Sequence, residues 1–337
     1  MKTALLITAF LASFVATLAA QASECTPITK RFAVDGTDLD KSTYQVTMQA
    51  CKVNDADVVS LRRFKLKGEM FNWIVSSKTL QTGIIPEKCL KQCAGFDSNS
   101  QNKYANILTD STRVPSPTAG AGIQKAKEVG PGQAEAFLTI DLCPSSKKLQ
   151  TEIFERIQSG YMTNVPVALS VSGLWIKNHH DEFVYLLQLQ DQKKINITWV
   201  NHSLTHPYDQ TKGIEENFLL TPGIDFQREV LGNEMVMFSQ GLVPSIFFRF
   251  PGLISSDKLI DQLKAWGLIP LGANAWLGKG QKIKNGSIVL VHGNGNELSG
   301  LTLLYKALEV QPQINATWTN LNQVYNSVTD KMESVPK

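Results

Sequence analysis

The sequence predicts an α/β protein in which strands alternate with helices, as in a parallel sheet or barrel, preceded by a small β-rich segment that carries disulfides. Three observations lead there. In the C-terminal two thirds, short continuous apolar runs recur with helix-patterned stretches between them, the mark of strands buried on both faces. Residues 25–68 read instead as short strands with alternating polarity, as in Thr43-Tyr44-Gln45-Val46-Thr47-Met48. Four of the five cysteines, Cys25, Cys51, Cys89 and Cys93, fall before residue 100.

Taken in order, residues 1–22 read as a signal peptide. Lys2 gives the positive start, residues 4–16 are apolar but for Thr8 and Ser13, and Ala20-Gln21-Ala22 offers a cleavage site, so the mature chain is expected from Ser23. The apolar core is shorter than the ~20 residues that span a bilayer. Glu24 before Cys25 is a poor match for a lipidation box, and no second apolar run follows. These features point to export, periplasmic or secreted, without stable membrane insertion. Export permits disulfides, and an odd count leaves one thiol over. Two bridges before residue 100 with Cys143 free is the simplest partition, and the connectivity stays open. Loss of Lys2 takes the formal net charge from +3 to +2. That is no basic footprint for nucleic acid, and it suits a neutral glycan.

Residues 95–132, rich in Ser, Asn, Gly and Pro, read as loop around a boundary near 128. The chain is thus divided into an N-terminal segment, 23–128, and a larger unit, 129–330. In the latter, strands are expected at 136–140, 165–170, 195–200, 246–248 and 287–291, with helices at 147–158, 182–190, 227–240 and 257–266. In parallel α/β folds the chemistry gathers at the carboxyl ends of the strands.

The residues at those ends make a coherent set. In Asn201-His202-Ser203-Leu204-Thr205-His206-Pro207, two imidazoles stand four apart, a spacing that on a helical turn lets both face one metal ion. Asp141, Arg249 and His292 close three other predicted strands. A zinc or other divalent ion on His202 and His206 could polarise a carbonyl and acidify a water toward a pKa of ~7. Asp141 could accept the water's proton, His292 could protonate the leaving group, and Arg249 could hold Asp141 in place. The plainer readings are polar loop residues for the His202–His206 pair, a strand-end cap for Asp141, an ion pair for Arg249 and a core imidazole for His292. His179 and His180 read as surface loop and Trp276 as core.

The same residues carry a resemblance to the polysaccharide deacetylases. The Asn201–Pro207 stretch is similar to that family's second motif. Thr139-Ile140-Asp141-Leu142-Cys143-Pro144-Ser145 is similar to its T-F-D-D-G-P-S, residues 165–176 to its P-A-T-F-F-V-x-G-x-W-I, Phe248-Arg249-Phe250-Pro251 to R-x-P, and Leu290-Val291-His292 to L-x-H. The resemblance covers residues 133–330 or so. It implies a distorted (β/α) barrel, a divalent metal, a general base at Asp141 oriented by Arg249, a general acid at His292, and metal ligands at His202 and His206. It implies hydrolysis of N- or O-acetyl groups on a chitin-like or peptidoglycan-like glycan.

Two positions depart from the pattern. Leu142 stands where the family has a metal-binding aspartate, and Ala275-Trp276 where it has D-W, whose aspartate tunes the catalytic histidine. Three outcomes are open at the first. Cys143 could supply the ligand as thiolate, Asp141 could bind the metal itself, or the metal is lost and the protein binds glycan without cleaving it. The motifs together point to a deacetylase of a variant branch. A catalytically impaired carbohydrate-binding protein on the same fold is the alternative, and a metal-dependent amidase or peptidase ranks last, since no H-E-x-x-H is present.

Overall fold

A computed structural model describes residues 25–111, 122–123, 126, 134–159, 164–314 and 316–325. The expected signal peptide and the boundary near 128 lie outside them. Among the described residues no helix is long and apolar enough to cross a membrane.

The N-terminal segment is a 5-stranded antiparallel sheet in the order β4-β3-β2-β1-β5, formed by β1 (Leu39–Val53), β2 (Ala56–Leu66), β3 (Glu69–Ser76), β4 (Thr82–Pro86) and β5 (Lys91–Gly95). The β-rich region therefore runs well past residue 68. Two disulfides staple it: Cys51 on β1 to Cys93 on β5, and Cys25 to Cys89. Cys143 is the free, buried cysteine.

The stretch expected as loop holds a helix, α1 (Lys103–Ser111). Asn102 caps it by accepting from the Ala105 N–H at 2.9 Å, and Tyr104, Ile107, Leu108 and Ser111 face inward at helical spacing. The Ser, Asn and Gly around this short amphipathic stripe masked it.

The larger unit is an 8-stranded sheet whose strand pairs are all parallel. Its path starts at β10 (Ile269–Pro270) and passes through β9 (Phe247–Phe248), β8 (Ile195–Asn201), β7 (Val165–Val171), β6 (Ala134–Leu142) and β12 (Ser287–His292) to β11 (Ala275–Trp276). β13 (Ala316–Trp318) adds to β6. Helices fall between strands: α2 (Glu152–Ser159), α3 (Gly173–Asn178), α4 (His180–Asp191), α5 (Phe226–Ser239), α6 (Asp257–Ala265) and α7 (Leu298–Ile314). This is a curled, open (β/α) barrel. α2 begins five residues later than expected, because the chain before it is held by the loop after β12: Lys147 Nζ donates to Gly295 O at 3.2 Å and Gln150 N to Gly293 O at 2.8 Å.

Strand alternation sorts the core into two layers. Along β6, Ala136, Leu138, Ile140 and Leu142 pack outward with Ile153, Phe154, Trp175 and Phe183 of the helices. Phe137 packs inward with Ala168, Val200, Phe248 and Ile288. This inner layer continues into the N-terminal sheet, where Phe64, Trp73 and Tyr44 meet Phe238 of α5. A fully buried ion pair fastens the two. Arg62 on β2 donates from Nε and Nη2 to both oxygens of Glu234 on α5 at 2.8 and 2.7 Å, and Tyr44 donates to the same carboxylate at 2.7 Å. Burial is the largest influence and would lower the Arg62 pKa; the charges of Glu234 and Tyr44 and the hydrogen bonds to Glu234 together reverse this and raise it.

Candidate active site at the strand ends

Parallel pairing carries the polar residues to one end of the barrel. Asp141 lies level with Ser170 on β7 and with His292 on β12, and Asn201 lies level with Phe248, one residue before Arg249. Asp141 and Cys143 lie on the site side, and Leu142 between them is fully buried in the outer layer. A Cβ on Gly293 would meet Leu142 Cδ2 at 2.9 Å, so that layer is closed tightly over the leucine. Period-two alternation at the end of β6 therefore puts Cys143, and not Leu142, on the same side as Asp141.

The His202–His206 spacing is not helical here, contrary to the expectation. The stretch after β8 is an irregular turn with Ser203 at φ 65° and His206 at φ 50°, left-handed conformations that non-glycine residues rarely adopt. Side chains of α5 impose it. Asn201 Oδ1 accepts from Ser203 N at 3.0 Å and from Asn233 Nδ2 at 2.8 Å, while Glu229 accepts from the Thr205 N–H at 2.8 Å and its hydroxyl at 2.7 Å. The two imidazoles then meet edge to face, 4.7 Å between centroids.

Cys143 Sγ lies 3.5 Å from His202 Nε2, and the ligand atoms of Cys143, His202 and His206 all fall within 4.8 Å of one another. His202 Nδ1 bonds the Arg249 carbonyl at 2.8 Å, an arrangement that leaves Nε2 free to face the centre. A tetrahedron with Zn–S of ~2.3 Å and Zn–N of ~2.0 Å has an S···N edge of about 3.5 Å, which the Cys143–His202 separation matches, and a thiol with two imidazoles is a donor set that suits a divalent ion of zinc type. Burial would raise the Cys143 thiol, but His206 and hydrogen bonds from His202, His206 and His292 hold it well below the ordinary thiol value. Burial would likewise lower His202, yet Asp141 and Cys143 raise it.

Asp141 sits beside this triad, its Oδ2 3.8 Å from His202 Nε2 and its Oδ1 accepting from Arg249 Nη1 at 3.2 Å. Arg249 is fully buried and also donates to Gly272 O at 3.1 Å. Burial lowers its pKa, opposed by the Asp141 charge.

Across the site, burial would lower His292, but bonds to Cys143 and Glu297 raise it to about 10. Glu297 was not singled out in the sequence. Its Oε2 accepts from His292 Nδ1 at 2.9 Å and from Trp276 Nε1 at 2.7 Å, and Lys279 Nζ lies 3.8 Å over the Trp276 ring. A carboxylate thus reaches the imidazole from the loop after β12, five residues past His292, where the sequence shows only an unremarked acidic residue. Trp276 is half-buried at the site's edge instead of in the core. Asn294, also missed, is buried and donates to Cys143 O at 2.9 Å. His179 is buried, contrary to the surface reading: it bonds Ser145 O at 2.6 Å and stacks on Trp175 at 5.3 Å. His180, as expected, is exposed.

No family model matches the chain. Among solved structures it is similar to a family 4 carbohydrate esterase from Bacillus anthracis, with 20% identity and a TM-score of 0.46 over 66% of this chain and 90% of that one. A family 4 carbohydrate esterase from Bacillus subtilis is similar at 16% identity and TM-score 0.43, over 60% of this chain and 83% of that one. A family 4 pseudoenzyme from Bacillus anthracis is similar at 17% identity and TM-score 0.40, over 63% and 70%. Two of these neighbours are thus carbohydrate esterases of family 4 and the third is a pseudoenzyme of that family.

Proposed function

We propose that this protein is an exported, metal-dependent deacetylase that hydrolyses an N- or O-acetyl group on a chitin-like or peptidoglycan-like glycan. One observation carries the reading: a thiol and two imidazoles at ligand spacing lie against an Asp141–Arg249 pair, with His292 opposite, all at the carboxyl end of one parallel sheet. Cys143, His202 and His206 would hold zinc or another divalent metal, which when bound polarises the acetyl carbonyl and acidifies a water.

The chain's own groups do the rest. Asp141 accepts the water's proton at Oδ2, and Arg249 fixes the carboxylate's orientation through Oδ1. His292 carries its proton at neutral pH, as a general acid for the leaving nitrogen or oxygen must. Glu297 sets the ring by holding Nδ1, which leaves Nε2 toward the site. The two disulfides suit an oxidising compartment, in line with export.

Acetate release from N-acetylated chitooligosaccharides and peptidoglycan fragments, with metal added and with chelator, tests the proposal. Release that chelator abolishes is the expected result. The second reading, glycan binding without turnover, is favoured by Leu142, which removes the carboxylate ligand. Glycan binding with no acetate release in any metal would select it.

A further inference from the structure

The loop that follows His206 holds an exposed aromatic side chain in a fixed pose. Tyr208 is 65% exposed, and its ring stacks on Phe218 with centroids 5.2 Å apart and planes 28° from parallel. Phe218 in turn meets His206 nearly perpendicular at 6.0 Å, and His206 lies against His202. A continuous line of rings thus runs from the site around Cys143 out to solvent.

The loop is tied from within. The buried Asn217 accepts from the backbone N–H groups of Asp209 and Phe218, each at 2.9 Å. It also donates to Asp209 O at 2.6 Å and Lys212 O at 3.2 Å. Phe218 takes φ 52°, and its ring occupies the space a side chain at Gly252 would need, 2.6 Å from the would-be Cβ. Gly252 belongs to the segment that follows Arg249, so the ring is seated on the site's own wall. A strained residue and a fixed aromatic pair, left open to water beside a reaction centre, are features that persist when a ligand uses them.

The ligand chemistry follows from the surface. One face of Tyr208 rests on Phe218 and its ring is largely open to solvent, and the loop's charges are three acids, Asp209, Glu215 and Glu216, against one base, Lys212, a balance that does not favour an anionic ligand. That suits a neutral ring with an apolar C–H face and polar edges. We infer that Tyr208, backed by Phe218, is a stacking platform for a pyranose ring of the glycan, placed for a sugar next to the one whose acetyl group lies at Cys143, His202 and His206. The identity of the occupant rests on the function proposed above.

The test reads binding apart from turnover. In an Asp141→Asn background, calorimetry with chitotetraose and with a peptidoglycan tetrasaccharide compares Tyr208 with Tyr208→Ala, Tyr208→Phe and, as an exposed neighbour off the stack, Ile214→Ser. The expected result is a ~10-fold or greater loss of affinity in Tyr208→Ala, a step of ~1.4 kcal/mol, with affinity kept in Tyr208→Phe and Ile214→Ser and unchanged urea midpoints throughout. In the active background the same change should raise KM more than it lowers kcat. Equal affinity in Tyr208→Ala, or no binding of either glycan at millimolar concentration, overturns the platform. So does loss of self-association in sedimentation velocity as the sole effect of Tyr208→Ala. Absent acetate release with Tyr208-dependent binding would sink the hydrolytic reading and leave the platform standing.

Discussion

Leu142→Asp restores in sequence the aspartate that the deacetylase motif expects, and the structure says it should fail. The Leu142 side chain is fully buried in the layer between the sheet and the helices, closed by Gly293 and facing away from Cys143. Removing the leucine forfeits ~1.5–3 kcal/mol of apolar burial. Burying a carboxyl group without partners costs a further ~1–3 kcal/mol even when it is protonated. The total of about 3–6 kcal/mol is a large share of the ~5–15 kcal/mol that holds a typical protein folded. Urea unfolding of metal-free protein should show a lower midpoint, and the shift multiplied by the m-value should equal that loss. Zinc competition against a chelator, on whatever fraction folds, should show no gain. Cys143→Ser should leave the fold in place and weaken zinc by more than the ~10–100-fold that losing a supporting residue costs. If Leu142→Asp unfolds like wild type and binds zinc more tightly, residue 142 faces the site and the assignment of Cys143 as its replacement is wrong.

Other outcomes follow from the same geometry. Asp141→Asn and His292→Ala should each slow acetate release by ~10²-fold or more with the fold intact, and Glu297→Gln should lower kcat more than it raises KM; full activity in any of them removes that residue from the mechanism. Arg62→Ala strands Glu234 in the core and should cost ~3–5 kcal/mol of stability, whereas Arg62→Met with Glu234→Leu should recover most of it; a single variant with the wild-type urea midpoint would contradict the buried pair. Mass mapping of unreduced peptides should find Cys25 joined to Cys89, Cys51 joined to Cys93 and Cys143 free, and any bridge to Cys143 would exclude it as a ligand. Protons compete with the metal for thiolate and imidazole, so zinc should be released as pH falls. Because the Cys143 thiol lies well below its ordinary 9.0, release should begin far under that value, and loss already complete just below pH 9 would refute the thiolate assignment.

The sequence by itself determined the alternation of strands and helices, since buried parallel strands must be continuous apolar runs and amphipathic helices must repeat at helical spacing. It also placed Asp141, His202, Arg249 and His292 at strand ends, which parallel pairing then brings to one rim. It grouped the four bridging cysteines, though not their partners. Only the tertiary structure decided the rest. Whether Leu142 or Cys143 faces the site depends on which face of β6 meets the helices, and one residue reverses the answer. The pose of His206 is set by Glu229 and Asn233, more than twenty residues away on α5, and not by local helical geometry. Glu297 reaches His292 from a loop that carries no motif, and α1 hides its apolar stripe within a polar stretch. In each case the deciding contact is between residues brought together by packing, and packing is the part of the physics that local patterns in a chain do not contain.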